Sequence, residues 1–511
     1  MPLLSPAASA RAAKPAPPAG RATRHFLLAL LAYFTLQALL RVWVSDAVER
    51  DEAEQLLWTQ QLALGYGTQP PLYTWLQWSV FQLTGVSVAG LALLKNLLLA
   101  TTFGACFMAA RTVLPAATAA AASASMLLLP QIGWESQRDL THSVLVTSLA
   151  ACMLWQVLRL LQRPSANTYL LLGLATGAAV LAKYSAAAVA LLMLGALATG
   201  RDTRHLLLRP AFLLAPLAAL VVLLPHALWL LDHWGEATRG TLDKMDAGSP
   251  PAGSWAVGVA HGMGSLARAL LGFVTPFWLV LAALCGRALL AGWRSPPAGP
   301  AGQVHRLLRR LLWLTLGFLL LLVLSGASSA VKDRWLQPFL FMLPLLLFSA
   351  LPEPAPPVLR RLAWAVGSMA ALVALLLSLR VALHGQRGSF DELNLPVRGF
   401  AQALAAQGLG QATLLTDDAV LGGGLRLYLP GSRVLLANGR ANHMAGALAG
   451  TSAGSRLAWV SLQADEAQRL AAANTAGLPV PPGAQWQTLA LPQLHAQSGA
   501  APARLYWVML R

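Results

Sequence analysis

Phe26–Val44 reads FLLALLAYFTLQALLRVWV, nineteen residues with Arg41 as the single charge, and Ser45-Asp46-Ala47-Val48-Glu49-Arg50-Asp51-Glu52-Ala53-Glu54 follows at once. A helix of roughly 20 apolar residues crosses the hydrocarbon core of a bilayer. The run ends in an arginine and acids instead of a small-residue cleavage motif, so it reads as a retained first span and not as a removed signal. Ten more apolar runs follow: Val86–Ala110, Thr112–Leu129, Thr141–Leu161, Thr168–Ala182, Ser185–Thr199, Leu206–Leu231, Ala269–Trp293, Leu308–Leu324, Leu336–Ala350 and Leu362–Leu383. The whole chain agrees with them: 511 residues, 56% hydrophobic and 11% charged, with a mean hydropathy of +0.57. Soluble chains carry about 25% charged residues, so a cytosolic enzyme, a disordered protein and a disulfide scaffold are excluded. The expected fold class is mainly α, a polytopic transmembrane bundle of about eleven spans over residues 26–383.

Charge tests this segmentation, because it was not used to choose the spans. The chain holds 37 Lys and Arg against 20 acids, a net charge of +17. Nucleic acid is not the expected partner, because short cytoplasmic loops collect Lys and Arg. With residues 1–25 as a cytoplasmic tail, alternate span ends carry Arg111, then Arg159 and Arg163, then Arg201, Arg204 and Arg209, then Arg287 to Arg310, then Arg360 and Arg361. The opposite face collects Asp46, Glu49, Asp51, Glu52, Glu54, Glu135, Asp139, Asp232, Glu236, Asp243, Asp246 and Asp333. Cys106, Cys152 and Cys285 sit in apolar runs and read as small buried side chains.

Beyond His384 charge, Gly and Asn return and apolar runs shrink to strand length. Residues 384–511 are expected to form a small soluble α/β domain. Ala412–Leu415, Arg433–Leu436, Leu457–Leu462 and Arg504–Leu510 read as strands, and Pro396–Gln407 and Asp465–Ala473 as helices. Asp417-Asp418 with Gly422-Gly423-Gly424 reads as a loop after a strand, and no lysine follows the glycines as a phosphate-binding loop requires. Eleven spans from an inside start place this domain outside, in the periplasm.

The loop of residues 45–85 is the first candidate for chemistry. Ala47–Leu64 is predicted as an amphipathic helix on the membrane surface, with Ala53, Leu56, Leu57, Gln60 and Leu64 on one face. Asp51 and Glu52 lie near its start, where the helix dipole favours an ionised carboxylate that can take a proton, although an acidic first turn also serves simply as a cap. Gln69-Pro70-Pro71 fixes an extended turn, and Pro71 opens a second surface helix carrying Tyr73, Trp75, Leu76 and Trp78. Arg138, Asp139 and His142 follow in the next outer loop. Lys183 and Tyr184 interrupt a long apolar stretch, and Lys332-Asp333-Arg334-Trp335 closes a later span. Each cation alone reads equally as a snorkelling helix end. Together they bring Arg138, Lys183, Lys332 and Arg334 to the face bearing the acids, the polarity that holds an anionic headgroup beside a carboxylate.

Arg50-Asp51-Glu52-Ala53-Glu54, Gln69-Pro70-Pro71-Leu72-Tyr73-Thr74-Trp75-Leu76, Arg138-Asp139, Leu181-Ala182-Lys183-Tyr184 and Arg334-Trp335-Leu336-Gln337-Pro338, in this order over residues 41–351, resemble the polyprenyl-phosphate-dependent membrane glycosyltransferases, relatives of the protein O-mannosyltransferases and of the lipid A aminoarabinose transferase. The resemblance implies a GT-C fold and an inverting transfer of a sugar from a polyprenyl-phosphate donor to a lipid, glycan or protein acceptor, at the outer face of a bacterial inner membrane. By motif position it implies Asp51 as the base with Glu52 beside it, Asp139 orienting the acceptor or a cation, and Arg138, Lys183, Lys332 and Arg334 neutralising the donor phosphate. Gln69, Pro70, Pro71, Tyr73, Tyr184 and His142 would line the substrate loop. Gln69 stands where some relatives carry lysine, and Trp335 where tyrosine is usual. A divalent cation at Asp51 and Asp139 stays open, two carboxylates being few ligands for one. The competing expectation is a lipid or sugar transporter, which needs ionisable groups deep within spans; Lys95 is the clear candidate for one. A structural scaffold would leave the acidic and basic set without purpose.

Overall fold

The computed structural model describes residues 19–246, 255–295, 297–437, 456–478 and 480–511. Most of the expected tail 1–25 lies outside them, as do the side chains of Glu236, Asp243 and Asp246. The chain opens with α1 (Ala19–Val44), the loop helices α2 (Arg50–Trp58) and α3 (Leu72–Thr84), then α4 (Val88–Arg111) and α5 (Ala116–Ala124). A 3-10 turn (Ser125–Leu128) and a wide π turn (Gln131–Glu135) lead into α6 (Ser136–Arg138), and the segments on either side are bent by 79°. The remainder of the bundle is α7 (His142–Gln162), α8 (Ala166–Ala182), α9 (Ala186–Ala198), α10 (Leu214–Asp246), α11 (Trp255–Arg294), α12 (Gly299–Leu324), α13 (Gln337–Leu340), α14 (Leu343–Phe348) and α15 (Pro356–Arg387).

Among the described residues seven helices, α1, α4, α7, α10, α11, α12 and α15, are long and apolar enough to cross a membrane, and the bent pair around residue 130, counted as one span, makes an eighth. The other runs are helical but shorter: α8 has 17 residues and α9 has 13. Leu336–Ala350 is not one helix. Pro338 and Pro344, each near the start of its own segment, break it into α13 and α14, because a prolyl ring supplies no N–H and clashes with the preceding turn. Hydropathy counts apolar residues without testing helix continuity. The outward faces are apolar, as a lipid solvent requires: Leu27, Leu31, Leu39 and Trp43 of α1 are exposed, and α4 and α7 form the buried centre. Helices α8 and α10 meet at Gly173, where a Cβ would stand 2.2 Å from the Ala215 carbonyl oxygen.

Helix α15 ends at Gly388, in the left-handed region at φ 67°, and the chain enters an α/β unit. It contains α16 (Val397–Leu404), β1 (Thr413–Thr416), α17 (Ala419–Tyr428), β2 (Arg433–Leu436), β3 (Leu457–Ser461), α18 (Glu466–Thr475), β4 (Gln487–Leu491) and β5 (Ala503–Met509). The sheet order is β2-β1-β3-β5-β4, parallel on both sides of β1 and antiparallel where β5 joins β3 and β4. Four strands fall where the apolar runs predict them; β4, a mostly exposed edge, does not announce itself. The three glycines expected in a loop lie inside α17, which Asp418 caps through the Leu421 N–H at 2.8 Å.

Candidate active site

Helix α2 carries the acidic motif, and its surroundings differ from those expected of a membrane-surface helix. It is nine residues long, and its apolar face is covered by protein. Val48, Ala53 and Leu56 pack with Phe81 and Leu91, while Leu57 joins the core of the C-terminal unit. Amphipathicity alone does not say whether lipid or protein covers a face. The cover here is α17: a Cβ at Gly423 would stand 2.5 Å from the Ala53 Cα, so the two backbones touch. Polar bonds extend this contact along the loop. The Gln60 side chain accepts from the Val434 N–H at 3.0 Å and donates to the Val434 carbonyl at 2.8 Å, continuing the edge of the sheet. The Arg50 N–H donates to Glu392 at 2.8 Å, and the Ser45 hydroxyl to the Leu393 carbonyl at 2.7 Å.

The two neighbouring carboxylates have different partners. Glu52 is fully buried and forms ion pairs with Arg41 of α1 at 2.5 Å and Lys95 of α4 at 3.3 Å. Burial alone pushes its carboxyl up, but the two cations outweigh that and hold it below the usual range. Lys95, deep in α4, is thereby matched within the protein. Asp51 points to the other side. Its Oδ2 accepts from the Thr141 N–H at 3.1 Å and the Thr141 hydroxyl at 3.2 Å, and its own N–H donates to Asp139 Oδ1 at 3.0 Å. The structure therefore brings Asp51 and Asp139 together.

Burial, and after it the charge of Asp51, push the Asp139 carboxyl up to about 7. The sign of its linkage to stability follows. The folded protein holds this proton between the unfolded value near about 4 and the folded value, so stability falls as pH rises through that interval. An Asp139→Asn variant keeps an acceptor for the Asp51 N–H and has no proton to lose. Its thermal midpoint in detergent should lie close to the parent's near pH 5 and above it at pH 8, where the added stability is on the order of 1–2 kcal/mol after screening. Parallel curves across that range would reject the assignment.

Behind Asp51 a polar chain joins four elements. The Thr74 hydroxyl donates to Gln55 Oε1 at 3.0 Å, Gln55 Nε2 lies 3.3 Å from His142 Nε2, and His142 Nδ1 is 3.1 Å from the Ala182 carbonyl. Next to Ala182, Lys183 Nζ donates to Ser143 Oγ at 2.9 Å. Tyr73 and Trp58 flank the His142 ring, with centroids 5.4 and 6.0 Å away. The Tyr184 hydroxyl is 3.1 Å from His226 Nε2, and His226 Nδ1 is 2.6 Å from the Leu64 carbonyl. Rings then stack from Tyr184 through His226 and Trp229 to His233. Gln69 pairs its backbone with Tyr66 across a tight turn at Gly67, φ 59°, Pro70 is buried beside it, and Pro71 opens α3.

The other expected cations lie apart from this chain of bonds. Arg138 pairs with Glu135 at 3.4 Å and lines a small cavity of about 40 Å³ with Arg41, Glu49 and Arg380. Lys332 lies over the Trp335 ring, 5.7 Å from its centroid, and Arg334 is exposed. Their segment is tied to the π turn through Asp333, which accepts from Gln131 at 2.9 Å, and through Gln337, which donates to Ser136 at 3.2 Å. Among the described residues no group of three or more His, Cys, Asp or Glu is arranged to hold a metal. The Asp51–Asp139 pair falls short of the roughly six oxygen ligands that a calcium or magnesium ion takes. Sequence reasoning missed Thr141, Gln55, Thr74, Ser143 and His226. Gln55 carried a usable signal: it lies one turn after Asp51 and so shares the face of that acid.

Comparison with known proteins sets this geometry in context. Residues 68–229 match the family model described as dolichyl-phosphate-mannose-protein mannosyltransferase. The chain is 38% identical over 425 residues to the lipopolysaccharide core galacturonosyltransferase RgtB of Rhizobium johnstonii, covering 80% of this chain and 82% of the relative. It is 34% identical to RgtA of the same organism, also a lipopolysaccharide core galacturonosyltransferase, over 81% and 83%. Its fold matches the crystal structure of ArnT from Cupriavidus metallidurans with a TM-score of 0.61 at 15% identity, over 96% of this chain and 98% of that one. The same protein bound to undecaprenyl phosphate matches with a TM-score of 0.60.

Proposed function

This chain belongs to the GT-C family of membrane glycosyltransferases, and from that premise we propose that it moves a galacturonosyl residue from a polyprenyl-phosphate carrier to a lipopolysaccharide acceptor, with inversion, at the periplasmic face of the inner membrane. The observation that carries the reading is the placement of Asp51. One carboxylate oxygen is held by two donors of Thr141, which leaves Oδ1 to accept a proton, and Lys183 is bonded to the residue two positions after Thr141. A base and a cation held by one short segment, residues 141–143, are what the reaction needs. The acceptor hydroxyl oxygen attacks the anomeric carbon from the face opposite the phosphate. The carbon–oxygen bond to phosphate breaks with its electron pair, and the hydroxyl proton passes to Asp51. The departing polyprenyl phosphate then carries an extra negative charge. Lys183 stabilises it, Lys332 and Arg334 on the later segment are the further cations this reading assigns to the donor phosphate, and this electrostatic contribution is the larger part of the rate.

The uronic acid is supported by the two relatives, both galacturonosyltransferases by name, and the carrier by the undecaprenyl phosphate bound to the ArnT neighbour. One contact supports a shared side for the acidic pair and the C-terminal unit: α17 lies on α2, so the two occupy one face however the spans are counted. Acidic loops favour the periplasm for that face.

The test is sugar release by purified protein in detergent from radiolabelled polyprenyl-phosphate sugars carrying galacturonic acid, mannose, glucose or aminoarabinose, with core lipopolysaccharide as acceptor. Galacturonate should be consumed and appear on the acceptor with inverted configuration. Consumption of another sugar would overturn the donor assignment. A folded protein that binds polyprenyl phosphate and consumes nothing would favour transport.

A further inference from the structure

Three consecutive residues at the start of α7 grip two other elements, α2 and the end of α8. Thr141 donates twice to Asp51 of α2. His142 stands between Gln55 of the same helix and the carbonyl of Ala182, the last residue of α8. Ser143 receives the ammonium of Lys183. Asp51 and Gln55 are one turn apart, so contacts at both fix the roll of α2 as well as its position. His142 and Ser143 do the same for the corner at residues 182–183.

The polarity of this chain has one solution for a neutral imidazole. The Ala182 carbonyl can only accept, so His142 Nδ1 carries the hydrogen. Nε2 is then an acceptor, and the Gln55 amide nitrogen must face it. That turns Gln55 Oε1 toward Thr74, whose hydroxyl donates to it. Donation therefore runs one way, from α3 through α2 and α7 to the end of α8. Thr74 and Gln55 are fully buried and His142 is 5% exposed, so water does not replace a lost partner.

Resting on the function proposed above, we infer that His142, as the neutral Nδ1–H tautomer, is a positioning residue that sets the separation between the base Asp51 and the phosphate-holding Lys183. It acts through both neighbours at once, one ring nitrogen to each. Lost spacing between two groups that act on opposite ends of the same breaking and forming bonds costs about 100-fold per ångström.

Splitting the two nitrogens tests this. His142→Asn retains a donor at the δ position for Ala182 and loses the reach to Gln55; His142→Gln retains an acceptor at the ε position and loses the bond to Ala182; His142→Phe retains only the ring. The asparagine variant should hold the donor KM within about threefold while kcat falls on the order of 30-fold; the glutamine variant should hold kcat better and raise the donor KM about tenfold; the phenylalanine variant should lose both. Equal losses in the asparagine and glutamine variants that track their thermal midpoints would mark an ordinary core residue and overturn the proposal. A second readout needs no turnover. In histidine-15N-labelled protein in nanodiscs, the signal that vanishes in His142→Phe should show a protonated Nδ1, held by the Ala182 carbonyl, and a bare Nε2, and Gln55→Leu should keep that tautomer while shifting the Nε2 resonance, which loses its donor. A protonated Nε2 in the parent would refute the relay. A parent that consumes no donor overturns the proposed function and leaves the spectrum to decide the relay; an active parent whose three variants keep parental kinetics overturns the relay alone.

Discussion

Asp51→Asn is expected to abolish transfer, with kcat down about 1,000-fold and the donor KM within about threefold of the parent, because general-base removal costs roughly 100- to 10,000-fold. The substitution is close to isosteric, and the asparagine oxygen still accepts from the Thr141 N–H and hydroxyl, so the fold and the α2–α7 contact survive. The informative comparison is with the adjacent acid. Glu52→Gln removes the partner of Arg41 and Lys95, both largely buried, and breaking a buried pair from one side costs about 3–5 kcal/mol. That variant should fold poorly, with a thermal midpoint many degrees lower, while its folded fraction keeps kcat within an order of magnitude. Transfer of label from donor to acceptor, normalised to folded protein, separates the two outcomes. Full activity in Asp51→Asn, or a larger loss of kcat in folded Glu52→Gln, would move the base from one residue to the other.

That contrast marks what the sequence could and could not say. Two adjacent acids at a helix start were visible, and so was their exclusion from the spans, but their directions were not. Residues 100° apart on a helix face different neighbours, and which neighbour waits on each side is decided by long-range packing. Glu52 turned to Lys95, a residue 43 positions away that alone resembles a transporter's buried charge. Asp51 turned to Asp139 and Thr141, nearly 90 positions away. The short cationic motifs behave in the same way. Lys183 reaches the segment that holds Asp51, whereas Arg138 is taken up by Glu135 one turn earlier, a local pairing that sequence spacing allowed. The spans were legible because bilayer thickness imposes a length on them; the break at Pro338 and Pro344 was legible too, had proline been weighed against hydropathy.

The three glycines of α17 were the least legible feature, because glycine is a poor helix former and reads as a loop. Their placement in a helix is explained by what they touch. At Gly423 an added Cβ would stand 2.5 Å from the Ala53 Cα and 2.7 Å from its carbonyl oxygen, so no rotamer change on α2 can relieve it. Gly423→Leu must therefore part the two helices by an ångström or more. Since α2 carries Asp51 on its opposite side, the displacement reaches the base, and kcat should fall about 100-fold. Gly424 provides the control. Its added Cβ would meet the Val397 side chain of α16 at 2.4 Å, within the C-terminal unit and away from α2. Gly424→Ala should lower the thermal midpoint and leave kcat per folded molecule near the parent. Ala53→Gly in a Gly423→Ala background should recover part of the loss, since it removes the Cβ at 2.6 Å while the backbone contact remains. Equal kcat losses in Gly423→Leu and Gly424→Ala would mean that the C-terminal unit only stabilises the chain. A loss confined to position 423 would mean that it presses the base into place, which makes docking of that unit a condition for transfer.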